Sequence, residues 1–167
     1  MKLIIKRTVR AMFVAAGTLA PLALPAADTN QYIVADQSAA RAQLPFSDAV
    51  VAGNTLYVAG TLGIDPKTAD DPKSARVPDD PAAEARFVME SIKHTVEAAG
   101  FNMDQMVSVQ VFCTDLGLYG AFNDVYRGYF HGHFPARAFI GVDKLLRGAH
   151  FEVMGTAVRA PRRSHNS

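Results

Sequence analysis

The chain has one cysteine, Cys113, among its 167 residues, so it cannot form an internal disulfide even in an oxidising compartment. Cys113 sits in an apolar, strand-like stretch and reads as a buried, inert thiol rather than a nucleophile. There is no glycine-rich phosphate loop and no Gly-x-Ser-x-Gly elbow, so two common catalytic signatures are missing. The acidic stretch from Asp65 to Asp80 lacks the glycine-containing spacing of an EF-hand, and its carboxylates read as solvated charge. His131-Gly132-His133 offers two imidazoles, but the only other nearby zinc ligand is Cys113. Two exposed loop histidines are the simpler reading, and no metal site is expected. A basic patch is missing too. Lys2, Lys6, Arg7 and Arg10 precede Asp28, and no acidic residue does. From Asp28 onward 13 basic residues face 16 acidic ones, a net charge of −3, which argues against nucleic acid as a partner.

The run from Ala11 to Leu24 is apolar but interrupted by Gly17, Thr18 and Pro21, and falls short of the about 20 residues a membrane span needs. With the basic residues before it and Pro25-Ala26-Ala27-Asp28 after it, residues 1–27 read as a secretory signal peptide cut near Ala26 or Ala27. No paired-arginine signal is present. The expectation is a periplasmic or secreted protein without a membrane partner after leader removal; an uncleaved membrane anchor is the alternative. Residues 28–42 read as a flexible N-terminal segment, 43–160 as one domain and 161–167 as a disordered tail.

Within the domain, hydrophobic periodicity assigns the elements. Tyr32-Ile33-Val34 suggests a short strand in an otherwise loose segment. Two further strands, Ala49–Ala52 and Thr55–Gly60, flank Gly53-Asn54, whose residues tolerate the positive φ of a tight hairpin. Asp80-Pro81 opens a helix that buries Ala85, Val88, Met89, Ile92, Val96 and Ala99 and closes at Gly100. Glu84, Arg86, Glu90, Lys93 and Glu97 fall largely on its other face. Val107, Val109 and Val111 alternate in a strand from Met106 to Phe112. Asp115 reads as the cap of a second helix, Leu118–Phe130, with Tyr119, Phe122, Tyr126 and Phe130 on one stripe. Arg137–Val142 and Phe151–Arg159 are the last strands. This order gives an α+β fold, a single sheet with two helices on one face. The uncovered, apolar-rich face points to a homo-oligomer.

Arg137 lies in Phe134-Pro135-Ala136-Arg137-Ala138-Phe139, where a proline bend delivers a lone cation into an apolar strand. Charged side chains are seldom buried without a partner, and a guanidinium offers a flat fork of donors matched to a carboxylate. Arg137 is therefore either a carboxylate anchor or half of a structural salt bridge.

Several segments resemble the RidA/YjgF family in its own order: Leu44-Pro45-Phe46-Ser47-Asp48-Ala49-Val50, Tyr57-Val58-Ala59-Gly60, Ile64-Asp65-Pro66-Lys67-Thr68, Val96-Glu97-Ala98-Ala99-Gly100, Val109 to Leu116, Phe122-Asn123-Asp124-Val125-Tyr126, Phe134-Pro135-Ala136-Arg137 and Ala157-Val158. The resemblance runs from about Pro45 to Arg159. It implies a chorismate-mutase-like protomer and a homotrimer with clefts between subunits. It also implies cofactor-free hydrolysis of imino acids such as 2-aminoacrylate and its imine tautomer to 2-keto acids and ammonia. Arg137 would grip the substrate carboxylate, Gly60 and Thr61 would form the cleft floor, and Asn123 would contribute to binding. A non-catalytic trimeric binder of small carboxylates is the alternative.

Three positions depart from the family pattern. Phe46 stands where a tyrosine is usual, Phe139 where a cysteine is frequent, and Met154 where a glutamate usually orients water. A thioether cannot act as a general base. Glu152 shares that face of the strand, about 7 Å further along. It is either a substitute acting through water or a surface or inter-subunit charge. Phe46, Phe139 and Met154 would make the pocket more apolar than is usual.

Overall fold

A computed structural model describes residues 30–35, 44–69 and 73–160. The expected leader, most of the expected flexible segment and the expected tail lie outside the described residues. The strands are β1 (Gln31–Ile33), β2 (Ala49–Ala52), β3 (Thr55–Leu62), β4 (Met106–Cys113), β5 (Ala136–Gly141) and β6 (Phe151–Val158). The helices are α1 (Pro81–Ala98) and α2 (Tyr119–Tyr126). One sheet runs β1-β2-β3-β6-β4-β5, with β4 and β5 parallel and every other pair antiparallel. The strand expected at Tyr32–Val34 is present one residue earlier and pairs with β2.

Local chemistry sets the boundaries. Gly53 (φ 60) opens the two-residue turn that puts Ala52 opposite Thr55. The Asp80 carboxylate caps α1 by accepting from the backbone N–H groups of Ala82 and Ala83, and Pro81 fills the first helical position. Gly100 (φ 74) ends the helix in the left-handed conformation that only glycine adopts cheaply. α2 is shorter than its aromatic stripe suggests. It stops at Tyr126 and continues as a tight turn over Arg127–Tyr129. Asp115 caps the tight turn leading into α2, accepting from Gly117 N–H at 2.8 Å.

Both helices pack on one face of the sheet. Val88, Ile92 and Val96 of α1 and Phe122 of α2 meet Val109, Val111, Phe151 and Val153 in a single core. Truncating a fully buried aromatic such as Phe122 would cost about 3–5 kcal/mol. The opposite face carries Tyr57, Phe112, Ile140, Glu152 and Met154, and among the described residues no helix covers it.

Two expectations need correction. Val107 is 48% exposed, because an irregularity between Met106 and Ser108 inserts an extra residue and turns Met106 inward instead. Glu84 is not on the wet side of α1; it is fully buried. It falls in the same i, i+4 row as Val88, Ile92 and Val96, which is the core row.

Candidate functional site

The β3–β6 end of the sheet holds the first group of candidate residues. β3 is irregular between Val58 and Thr61, where pairing with β6 shifts register. Such a bulge frees backbone and redirects side chains. Thr61 turns its hydroxyl back to the Ala59 carbonyl at 3.1 Å. Gly60 lies directly against Glu152, and a Cβ at position 60 would collide with the Glu152 carboxylate. Phe46, Gly60, Thr61 and Glu152 line one cavity of about 1000 Å³, with Ile64 and Phe87 adding apolar wall. Glu152 is half-buried there, and among the described residues nothing pairs with its carboxylate. Met154 is on the same sheet face, opposite Gln110, but does not line this cavity.

Glu152 is held in place from behind. The buried Glu84 carboxylate accepts from the backbone N–H groups of His150 and Phe151, both at 2.8 Å through one oxygen. Its second oxygen meets the His150 imidazole Nδ1 at 2.7 Å. α1 is thus pinned to the first residues of β6, immediately before Glu152. Gly63 packs so closely on Glu84 that any side chain there would strike its backbone.

Arg137 belongs to a different surface. It pairs with Val109 in the parallel β4–β5 ladder, so it shares the helix-bearing face with that buried residue. Its guanidinium carbon lies 4.6 Å from the centre of the Tyr126 ring, 5.6 Å from Tyr119 and 5.7 Å from Phe139. Three aromatic faces therefore fix the cation without neutralising it. Among the described residues no carboxylate pairs with Arg137, so the intrachain salt bridge is not what holds it.

Its polar contact is the Tyr119 hydroxyl, which accepts from Nη2 at 3.4 Å. Asn123 hydrogen-bonds the same phenol, and that bond together with Arg137 lowers the Tyr119 ionisation below the usual phenol range. Tyr126 is the opposite case: its buried hydroxyl has no partner among the described residues, and burial pushes it up to about 12. Tyr119 shares a helical stripe with the buried Phe122 and Tyr126, yet it is 49% exposed. Its place at the first residue of the helix was the available signal.

The candidates thus form two groups. Phe46, Gly60, Thr61 and Glu152 sit at the end of β3. Arg137, Phe139, Asn123 and Tyr119 sit beside α2. β4 separates β6 from β5, and Glu152 and Arg137 project from opposite faces of the sheet. Cys113 and His131 belong to neither group. Cys113 is fully buried, its thiol donates to the Asp115 carbonyl, and burial pushes its pKa up. His131 lies near Asp104, with its backbone N–H donating to that carboxylate.

The chain is similar to known proteins along most of the described domain. The family model described as Endoribonuclease L-PSP matches residues 36–159. A RutC family protein of Sulfurisphaera tokodaii is 38% identical over 109 residues, covering 65% of this chain and 83% of its own. A protein of Capra hircus named 2-iminobutanoate/2-iminopropanoate deaminase is 34% identical over 129 residues, covering 77% of this chain and 90% of its own. The crystal structure of RidA from an Antarctic Psychrobacter superposes with a TM-score of 0.63 and 32% identity, covering 70% of this chain and 90% of that one. Imine deaminases are thus among the relatives, which supports a deaminase activity at the level of the family. On the matched span, the shared fold and these identities, the chain belongs to the RidA/YjgF family.

Proposed function

We propose that this protein hydrolyses small 2-imino acids to 2-keto acids and ammonia at a cleft between protomers. The observation that carries the reading is the unneutralised Arg137, caged by three aromatic rings and open to a carboxylate. A carboxylate bound there would receive two parallel charge-assisted bonds. The imine carbon is already electrophilic, so the site needs orientation, a placed water and a proton route.

The two groups of candidate residues cannot meet within one chain, because the sheet lies between them. Closing the cleft needs the Arg137 side of one protomer against the Gly60–Glu152 end of the next. A homotrimer does this while covering the exposed Tyr57 and Ile140 of the bare sheet face. In that arrangement Glu152 orients the water over Gly60 and Thr61, taking the role that Met154 cannot fill. Phe46 and Phe139 line the walls, and the site works without a cofactor. Membership of a family described as endoribonuclease raises RNA as a substrate. The net charge of −3 from Asp28 onward weighs against it. We also place the protein outside the cytoplasm, on the leader-like pattern of residues 1–27.

The test generates imino acids in situ with an amino-acid oxidase and follows their loss in competition with semicarbazide, for the wild type and Arg137→Ala. Acceleration by the wild type alone supports the reading. No acceleration with any side chain, combined with keto-acid binding lost in Arg137→Ala, would show a binder of carboxylates instead.

A further inference from the structure

Hydrolysis of an imine needs a proton delivered to nitrogen twice, once as water adds and once as ammonia leaves. Met154 supplies none, and Glu152, as a carboxylate, accepts rather than donates. Beside Arg137 there are two phenols. Tyr126 stacks under the guanidinium but is buried, without a partner among the described residues, and hard to ionise.

Tyr119 differs in each respect. It is half exposed, and its ring is locked edge-on against Phe139, with centroids 5.0 Å apart at 84°. Its oxygen accepts from Arg137 Nη2, and Asn123 lies one turn further along α2. Because the phenol oxygen accepts from Arg137, its own hydrogen is kept for donation to a ligand held beside that guanidinium.

On the imine-hydrolase reading, we propose that Tyr119 is the catalytic acid–base of this site. Its O–H proton passes to the imine nitrogen as the C=N π pair moves onto that nitrogen and the water oxygen bonds to carbon. The proton released by the water returns to the phenolate, giving the carbinolamine. In the second step the phenol protonates the amine. The C–N bond breaks with its electron pair on ammonia, the carbinol oxygen closes to C=O, and its proton restores Tyr119. Imino acid and water become keto acid and ammonia, and the phenol is unchanged.

The charged surroundings favour this role. Arg137 on β5 and Arg127 beyond the end of α2 both pull the phenol toward ionisation, as does the Asn123 bond. An acid tuned toward the working pH transfers protons faster. The polar group thereby returns to the cleft, on the opposite wall from Phe46.

The test compares wild type, Tyr119→Phe and Arg137→Ala in the semicarbazide competition assay, across pH. Phenylalanine keeps the ring against Phe139 and Arg137, so the fold should be retained. Loss of one general acid–base gives about a 100-fold or larger fall in kcat. KM and keto-acid affinity should stay within about threefold of wild type, while the alkaline limb of the kcat profile disappears. A kcat within threefold of wild type overturns the assignment while leaving the imine-hydrolase reading intact. A rise in KM at unchanged kcat also overturns it, since Tyr119 would then only position Arg137. A wild type that accelerates no imine hydrolysis overturns both.

Discussion

Replacing Glu84 with alanine removes the buried carboxylate that ties α1 to the start of β6. Three hydrogen bonds end on it, at 2.8, 2.8 and 2.7 Å. Alanine leaves the Phe151 N–H stranded in the core, and water can reach the His150 groups only in part. Each stranded donor costs about 1–3 kcal/mol, and the void adds to that, for a total of about 3–5 kcal/mol. For a domain of this size that corresponds to a fall in Tm of about 10–20 °C, at fixed protein concentration. Glutamine should behave differently. Both backbone N–H groups converge on one oxygen, which the glutamine carbonyl can replace. Its NH₂ can then donate to His150 Nδ1 in the tautomer protonated at Nε2. Glu84→Gln should therefore cost about 1 kcal/mol or less. Thermal unfolding of the two variants beside wild type checks this. Equal destabilisation by Gln and Ala, or an Ala variant within about 3 °C of wild type, would refute the reasoning.

Three further outcomes are expected. Gly60→Ala should leave Tm nearly unchanged but depress imine hydrolysis, because the new Cβ displaces the Glu152 carboxylate rather than backbone; a variant as fast as wild type would remove Glu152 from the site. The unfolded chain ionises Tyr126 near pH 10 and the folded chain near 12, so stability is retained below about pH 10 and declines as pH rises through about 12. Tyr129 is pushed up as well, by burial and its bond to Glu90, so Tyr126→Phe should flatten only part of that decline in denaturant titrations at several pH values. Cys113 should react with a thiol reagent only after unfolding, and fast labelling of the native protein would contradict its burial.

The sheet, the helices and the hairpin were legible because alternation and i, i+4 periodicity are local. Asp80-Pro81 and Gly100 carried the ends of α1 for the same reason. The bulges were not legible. The extra residue that exposes Val107 depends on pairing with β6, fifty residues away in sequence. The charge of Glu84 groups it with the polar residues of α1, although its row with Val88, Ile92 and Val96 places it in the core. Its partners, the N–H groups of His150 and Phe151, carry no side-chain signal. Arg137, Gly60 and Glu152 were legible as candidates. Their separation onto opposite faces of the sheet follows from strand order, which composition and periodicity do not encode.

That separation makes subunit complementation the most direct measurement. Arg137→Ala and Glu152→Ala proteins would be unfolded together in equal amounts, refolded, and assayed for imino-acid hydrolysis beside each parent refolded alone. If each site takes Arg137 from one protomer and Glu152 from the next, both parents are inactive. A random mixture then completes about one interface in four and recovers about a quarter of wild-type activity. A mixture no more active than its parents would contradict a site shared between protomers.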